Sequence, residues 1–267
     1  MANFIPEGCH SYLHDGTPYY EVEMKTKPGK FRPVNIKDIK EAGALPSWSS
    51  ISKVLNKPEL TNWLINKHLH AYATYPFPEG LNEDEKIKLV LSDAGAETRD
   101  ALDLGSVGHS MIEYYVQNGG YAIPKDVNLT DTQKELLLEL LAKFAKWWTL
   151  KPRKVIAVEK HFGNPALGIG GRVDLITEEP DGIWITDHKF TKNGKPYPEM
   201  FVQMIIYKRG LMLSEANVRS TLFGKETIDF NPHDWDMEKE QEAWNYFQAC
   251  FTIWMINNNY DPREEVV

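Results

Sequence analysis

The sequence predicts an α/β fold whose core runs helix, three strands, helix, strand, and three observations carry that prediction. Residues 155–162, 172–177 and 183–190 are β-rich runs in close succession, the last two joined by a turn over Glu178 to Gly182 built around Pro180 and Asp181-Gly182. Segments with helical apolar spacing flank these strands, marked upstream by Leu136, Leu137, Leu140, Leu141 and Phe144 and downstream by Pro198 to Leu213. A further β-rich run, Val218 to Phe223, closes the order. At 267 residues the chain is long enough to bury a sizeable core, and one domain with helical additions fits it better than two independent ones.

Taken in order, residues 1–45 carry scattered Gly and Pro and two β-leaning pieces, Tyr19 to Lys25 and Phe31 to Ile36, joined by Pro28-Gly29. They predict a small hairpin outside the core. Ser47 to Leu55 and Glu59 to Leu69 read as two short helices separated near Pro58. Trp48 and Trp63 within them read first as core side chains and second as platforms for unpaired bases. Tyr72 to Gly80 is a loop rich in Tyr, Phe and Pro, and Glu83 to Leu102 is helical, with Arg99 near its end reading first as an exposed charge and second as a phosphate contact. Gly105 to Val116 forms the next helix and places His109 and Glu113 on one face. Thr130 or Asp131 caps the long helix that precedes the strands, and Trp147 and Trp148 close it. Glu159 is the acidic residue of the first strand, placed to support a neighbouring site or to face solvent. Gln203 and Tyr207, four apart, share a face of the helix after the third strand. The last helix, about Asp236 to Ile256, repeats Trp244, Phe247, Phe251 and Trp254 on one side, which it packs on the body of the domain.

Composition excludes several classes. With 42% hydrophobic and 25% charged residues the chain is an ordinary soluble globular protein, and its formal net charge of −8 argues against broad, sequence-independent attraction to nucleic acid. Local potential still decides, and Lys151-Pro152-Arg153-Lys154 is the strongest basic cluster, readable also as a solvated helix end. Cys9 and Cys250 are the two cysteines, too few for a disulfide framework or a four-cysteine iron-sulfur cluster. No basic stretch followed by an apolar run opens the chain, and no apolar segment has membrane-spanning length, so an intracellular location away from membranes is expected.

The chemistry concentrates between Gly168 and Lys189. Alternation along a strand puts Asp187 and Lys189 on one side and His188 on the other, while Asp174 sits on the partner strand of the hairpin. Two carboxylates beside an ammonium suit metal-assisted phosphodiester hydrolysis, with hard oxygen ligands for Mg²⁺ or Mn²⁺ and a cationic donor for water or phosphate. An Asp-x-Lys triplet alone says little, since Asp38-Ile39-Lys40 and Asp84-Glu85-Lys86 repeat it in polar surroundings that predict solvated faces. The third triplet follows the strand Ile183-Trp184-Ile185 and pairs with Gly171-Arg172-Val173-Asp174.

In that context the chain resembles the PD-(D/E)XK nuclease superfamily, and within it the RecB-like exonuclease branch, whose pattern is G-x-x-D followed by D-x-K. Gly105 to Glu113 is similar to the branch's helix in which a histidine joins the metal site, and Gln203 with Tyr207 reproduces its Q-x-x-x-Y pair. The resemblance, spanning roughly His109 to Tyr207, implies a restriction-endonuclease-like core with a central mixed sheet and an N-terminal helical region. It divides the chain into residues 1–104, which help enclose substrate, and residues 105–267, the nuclease core. It implies a Mg²⁺- or Mn²⁺-dependent DNA exonuclease preferring single-stranded ends, working in phage-type replication, recombination or repair alongside proteins of those processes. Asp174, Asp187, His109 and the main-chain carbonyl of His188 would hold the metal; Lys189 would orient and help deprotonate water; Gln203, Tyr207, Glu113, Glu159 and Arg172 would support the site or touch nucleic acid. The alternatives are a structure-specific endonuclease on the same fold and a non-catalytic nucleic-acid-binding protein, which would be expected to have lost Lys189 or a carboxylate.

Overall fold

The computed structural model describes residues 10–55, 58–124, 127 and 129–263, with the side chains of 59–60 and 93–103 left aside. Strand β1 (Ser11–Tyr12) is followed by the hairpin β2 (Glu21–Glu23) and β3 (Phe31–Pro33), the helix α1 (Ile36–Ala42) and β4 (Leu45–Pro46), which returns to pair antiparallel with β1. The hairpin lies where the sequence places it, but the chain turns helical right after Pro33. Asn35 caps α1 by accepting from the N–H groups of Lys37 and Asp38, and the Asp38 carboxylate accepts the Asn35 N–H in return. Asp38 also grips Arg32 through two bonds of 2.6 and 2.8 Å and is buried. The first decoy triplet is therefore a capping device and not a solvated face. The second lies on the expected solvated face, with Asp84 and Glu85 exposed, and Glu85 there also completes a capping box with Asn82.

Residues 10–16 lie against the main sheet, contrary to the expectation that residues 1–45 stand outside the core, and residues 45–51 pack there too. A Cβ on Gly170 would stand 2.6 Å from the Tyr12 Cβ, and one on Gly163 would stand 2.5 Å from the Leu13 carbonyl oxygen. Trp48 and Ile51 belong to the main apolar core, and the Trp48 indole donates to the Glu199 carbonyl at 3.2 Å. Trp48 is thus no platform for bases.

Past α2 (Trp48–Ile51) come α3 (Pro58–Thr74), α4 (Glu83–Asn118) and α5 (Asp131–Trp148). α4 is one continuous helix of 36 residues through the point where a break was expected. Gly105 and Gly108 do not interrupt it. They let it approach Phe190, whose Cζ would lie 2.1 Å from a Cβ on Gly108. Thr130 and Gln133 form the capping box of α5, and its buried Leu137, Leu140, Leu141 and Phe144 pack with Val107, Met111 and Ile112 of α4.

Three antiparallel strands follow, β5 (Lys154–Asn164), β6 (Ile169–Glu179) and β7 (Gly182–Thr191), then α6 (Pro198–Gly210), β8 (Asn217–Gly224), β9 (Asp229–Asp234) and α7 (Glu240–Asn258). The sheet order is β5-β6-β7-β8-β9, with β7 and β8 parallel across the α6 crossover and the other pairs antiparallel. This is the expected mixed sheet with one more strand. β9 contains Pro232, which lacks an N–H and is tolerated at the sheet's edge. One core joins Val173, Ile185 and Val218 of the sheet to α6 and α7, through Val202, Ile205, Phe247 and Phe251. The second joins Phe223 to α4 and α5.

Lys151 and Arg153 of the basic run before β5 are engaged internally, while Lys154 stays exposed beside Glu178. Glu179, buried at the end of β6, receives Arg153 Nε at 3.1 Å, Arg219 Nη1 at 3.0 Å and Lys151 Nζ at 2.6 Å. The side chains of Arg153 and Arg219 are 2% and 3% exposed, and their guanidinium groups lie 4.0 Å from the Trp147 ring centroid and 3.9 Å from that of Trp184. Lys151 and Arg153 therefore serve the fold, so they form neither a solvated helix end nor a stripe open to a nucleic acid.

Candidate metal centre

The site forms where β6 and β7 part. Their backbone ladder ends at Leu175 opposite Thr186, while β7 stays paired with β8 as far as Thr191. In place of the next ladder bond, the Asp174 carboxylate accepts the His188 N–H at 2.6 Å. Asp187 lies next along β7, in the fork. On the other side, β5 pairs with β6 at Val158 and Lys160, and the residue between them, Glu159, has φ of 50°. A non-glycine residue in left-handed backbone inside a strand is strained, by roughly 1–3 kcal/mol. The surrounding ladder holds it there.

From α4, His109 reaches the same point. Its Nδ1 is 3.4 Å from Asp174 Oδ2, and one ligand atom each of His109, Glu159 and Asp174 lie within 4.8 Å of one another. Asp187 is not in that trio. Lys189 Nζ sits 2.8 Å from Asp187 Oδ2, as expected for two residues on one side of a strand, yet this buried oxygen receives no aligned hydrogen bond. The His188 ring is held by Thr221, its Nδ1 2.5 Å from Thr221 Oγ1, and stands T-shaped to both Phe144 and His109.

The charges fit a cation. Burial pushes the Asp187 carboxyl up to about 7, Lys189 pulling down and Asp174 pushing up. Burial and then the Asp174 charge push Glu159 up to about 7, against the pull of Arg172. Burial acts upward on Asp174 too, but His109, His188 and Lys189 outweigh it and hold that carboxyl below its ordinary range. Burial keeps His109 below the usual histidine value and brings His188 down to about 4, so both rings are neutral near pH 7. Crowded carboxylates, a neutral imidazole and a buried oxygen short of donors suit a divalent ion.

The remaining sequence candidates lie around this centre. Gln203 Nε2 donates to Tyr207 OH at 2.5 Å, and the Tyr207 ring rests over Gly171, where a Cβ would stand 3.1 Å from its Cε1. The Phe162 ring stands closer still, its Cε1 2.6 Å from that Cβ, and the two rings together explain the glycine of the G-x-x-D motif. Burial, with Asp187 and Asp174 behind it, drives the Tyr207 hydroxyl well above its ordinary value, so it remains a neutral hydrogen-bonding group. Glu113, one turn beyond His109, lines the cleft with Val116 and Glu159 and accepts from Gln117. Arg172 Nη1 lies 2.8 Å from Glu159 Oε2. Sequence reasoning placed Glu159 on the neighbouring strand, but its place beside His109 and Asp174 follows from a backbone conformation that no sequence pattern announces.

A sheet that opens beside carboxylates, an imidazole and a lysine offers the donor set that a metal-dependent nuclease would use. The chain belongs to the PD-(D/E)XK nuclease superfamily, whose family model matches residues 81–249, from the start of α4 into α7. Nucleases of this superfamily use divalent metals, and the mixed five-stranded sheet flanked by helices is that of a restriction-endonuclease-like fold. No curated protein matches the chain significantly.

Proposed function

We propose that this nuclease is a RecB-like exonuclease that hydrolyses DNA from an end, prefers single strands and serves phage-type replication or recombination inside a cell. The observation that supports its chemistry is the fork between β6 and β7, with Asp174 on one arm and Asp187 and Lys189 on the other. In this reading Asp174, Asp187, His109 and the His188 carbonyl hold Mg²⁺ or Mn²⁺, with Glu159 beside them. When bound, the cation acidifies a water toward neutrality and offsets charge growing on the phosphate. Asp187 draws the Lys189 ammonium upward against the burial that would lower it, so Lys189 is a charged donor that orients the water. Removing a proton from that water, the further role expected of Lys189, is closed to it while it stays charged. Gln203 and Tyr207 buttress β6 from α6.

Support for the strand preference comes from the helices before the site. α3 and α4 pack together, and their outer surface carries Trp63, 54% exposed, with Ile65, Leu69, Ile87 and Leu91. Tyr75 and Phe77 lie in the loop between them, their ring centroids 4.9 Å apart and tilted by 38°. Aromatic rings of this kind stack on unpaired bases at roughly 1–3 kcal/mol per base. We therefore assign the enclosure of substrate to the region before residue 104 and the chemistry to the residues after it. Among the described residues no helix is long and apolar enough to cross a membrane.

The test is a linear single-stranded oligonucleotide against the same sequence circularised, at equal Mn²⁺. The linear form is degraded and the circle persists; equal loss of both would replace the exonuclease by an endonuclease. For the metal, His109→Ala weakens Mn²⁺ binding by about 10–100-fold, the scale on which disturbing a metal site's ligation acts. Calorimetry showing the affinity unchanged would remove His109 from the ligand set. Mn²⁺ should support cleavage at least as well as Mg²⁺, because an imidazole suits the softer ion.

A further inference from the structure

Glu159 stands between two cations that cannot both hold it fully. Its carboxylate lies beside His109 and Asp174, where a divalent ion would sit, and the same carboxylate pairs with Arg172 at 2.8 Å. Its left-handed backbone is held in mid-strand by the ladder on either side, so it remains poised between the two. Arg172 is 38% exposed and precedes Asp174 by two residues on β6, so both side chains leave the same side of the strand, about 6.6 Å apart along it. Tyr12, Tyr20 and His161 stand close enough to feel its charge, and the two tyrosines are joined hydroxyl to hydroxyl at 2.7 Å. A guanidinium at the open edge of a nuclease site, ringed by hydroxyls and aromatic faces, matches a phosphate of the strand being cut. Among the described residues the carboxylate paired with it is Glu159, which a metal would claim.

Resting on the nuclease reading above, we infer that the Glu159–Arg172 ion pair is a latch that couples metal loading to substrate binding. A divalent ion draws Glu159 to itself, since a partly exposed ion pair is a weak competitor for a carboxylate. Arg172 is thereby unmasked and binds the backbone phosphate next to the one cleaved. Without metal, the latch keeps Arg172 neutralised and DNA affinity low, which guards against unproductive binding in a chain whose net charge of −8 offers little attraction elsewhere.

Two measurements test this, and the first needs no nucleic acid. Mn²⁺ binding is followed by calorimetry in a double-mutant cycle of Arg172→Met and Glu159→Gln. Arg172→Met tightens Mn²⁺ binding at least threefold when Glu159 is present and has no such effect in the Glu159→Gln background. An equal gain in both backgrounds would mean a through-space charge effect and would overturn the latch. The second follows anisotropy of a labelled single-stranded oligonucleotide in chelator and in Ca²⁺, with Lys189→Met throughout to keep the probe intact. Ca²⁺ tightens binding about tenfold in that protein. Adding Glu159→Gln brings the chelator affinity up to the Ca²⁺ value, and adding Arg172→Met abolishes the Ca²⁺ gain. A Glu159→Gln protein no tighter in chelator, or an Arg172→Met protein that keeps the gain, would overturn the proposal. Absence of cleavage by the unaltered chain with every metal would instead count against the nuclease reading, and the calorimetric cycle would still decide whether Glu159 is shared.

Discussion

Asp174→Asn, Asp187→Asn and Lys189→Met each lower DNA cleavage by about 10³-fold or more, the scale set by removing a group that acts on the transition state. Single-turnover cleavage of a labelled linear strand at buffered Mn²⁺ is the measurement. Near-normal turnover in any of the three would overturn the assignment of that residue, whereas Lys40→Ala and Lys86→Ala, in the helix-capping triplets, should change the rate by less than about twofold. The amide and thioether replacements matter. Removal of clustered like charges would be expected to cost little stability, but the Asp174 carboxylate also accepts the His188 N–H where the two strands divide. Alanine there leaves a buried donor unmatched at roughly 1–3 kcal/mol and would confuse lost chemistry with a loosened sheet. Asparagine keeps an acceptor oxygen in place.

Glu179→Ala is the largest expected loss of stability away from the site, about 3–5 kcal/mol, because it leaves the buried Arg153 and Arg219 without their shared anion. Urea unfolding at pH 7 measures it, and a loss below about 1 kcal/mol would show that water or the indole faces compensate both guanidinium groups. The cluster also sets an acid limit. Burial alone would raise the Glu179 carboxyl, but Lys151, Arg219 and Arg153 bring it below the ordinary 4.5. A group whose folded value is depressed contributes stability above its unfolded value and loses it as pH falls through the folded one. The contribution is therefore complete above pH 4.5 and declines below it, and Glu179→Ala should flatten that acid slope.

The strands β5 to β8, the capped α5, the crossover α6 and the aromatic α7 were readable in the sequence because each carries its own period and its own end signals. The pairing of Asp187 with Lys189 followed from alternation alone. What stayed hidden depends on partners distant in sequence. Gly105 and Gly108 look like a helix break until Phe190 is seen against them, and Pro232 looks like a strand breaker until β9 is found at an edge. Lys151 and Arg153 look available to phosphate until Glu179, 28 and 26 residues later, is found to hold both. The cysteine pattern left no cluster to build, and Cys250 is buried in the core, where burial raises its thiol.

The unbroken α4 locks distance to direction. From Glu83 to His109 is 26 residues, about 39 Å along one axis at the usual rise, and each residue also turns the helix by about 100°. Everything carried near its first turns therefore has a fixed azimuth as well as a fixed reach relative to the histidine. One residue added before His109 would swing that far end roughly a quarter turn around the axis, while a heptad would lengthen the reach by about 10 Å and restore the heading to within about 20°. Homologous chains that vary this helix in length should then do so in whole heptads, keeping phase where they do not keep size.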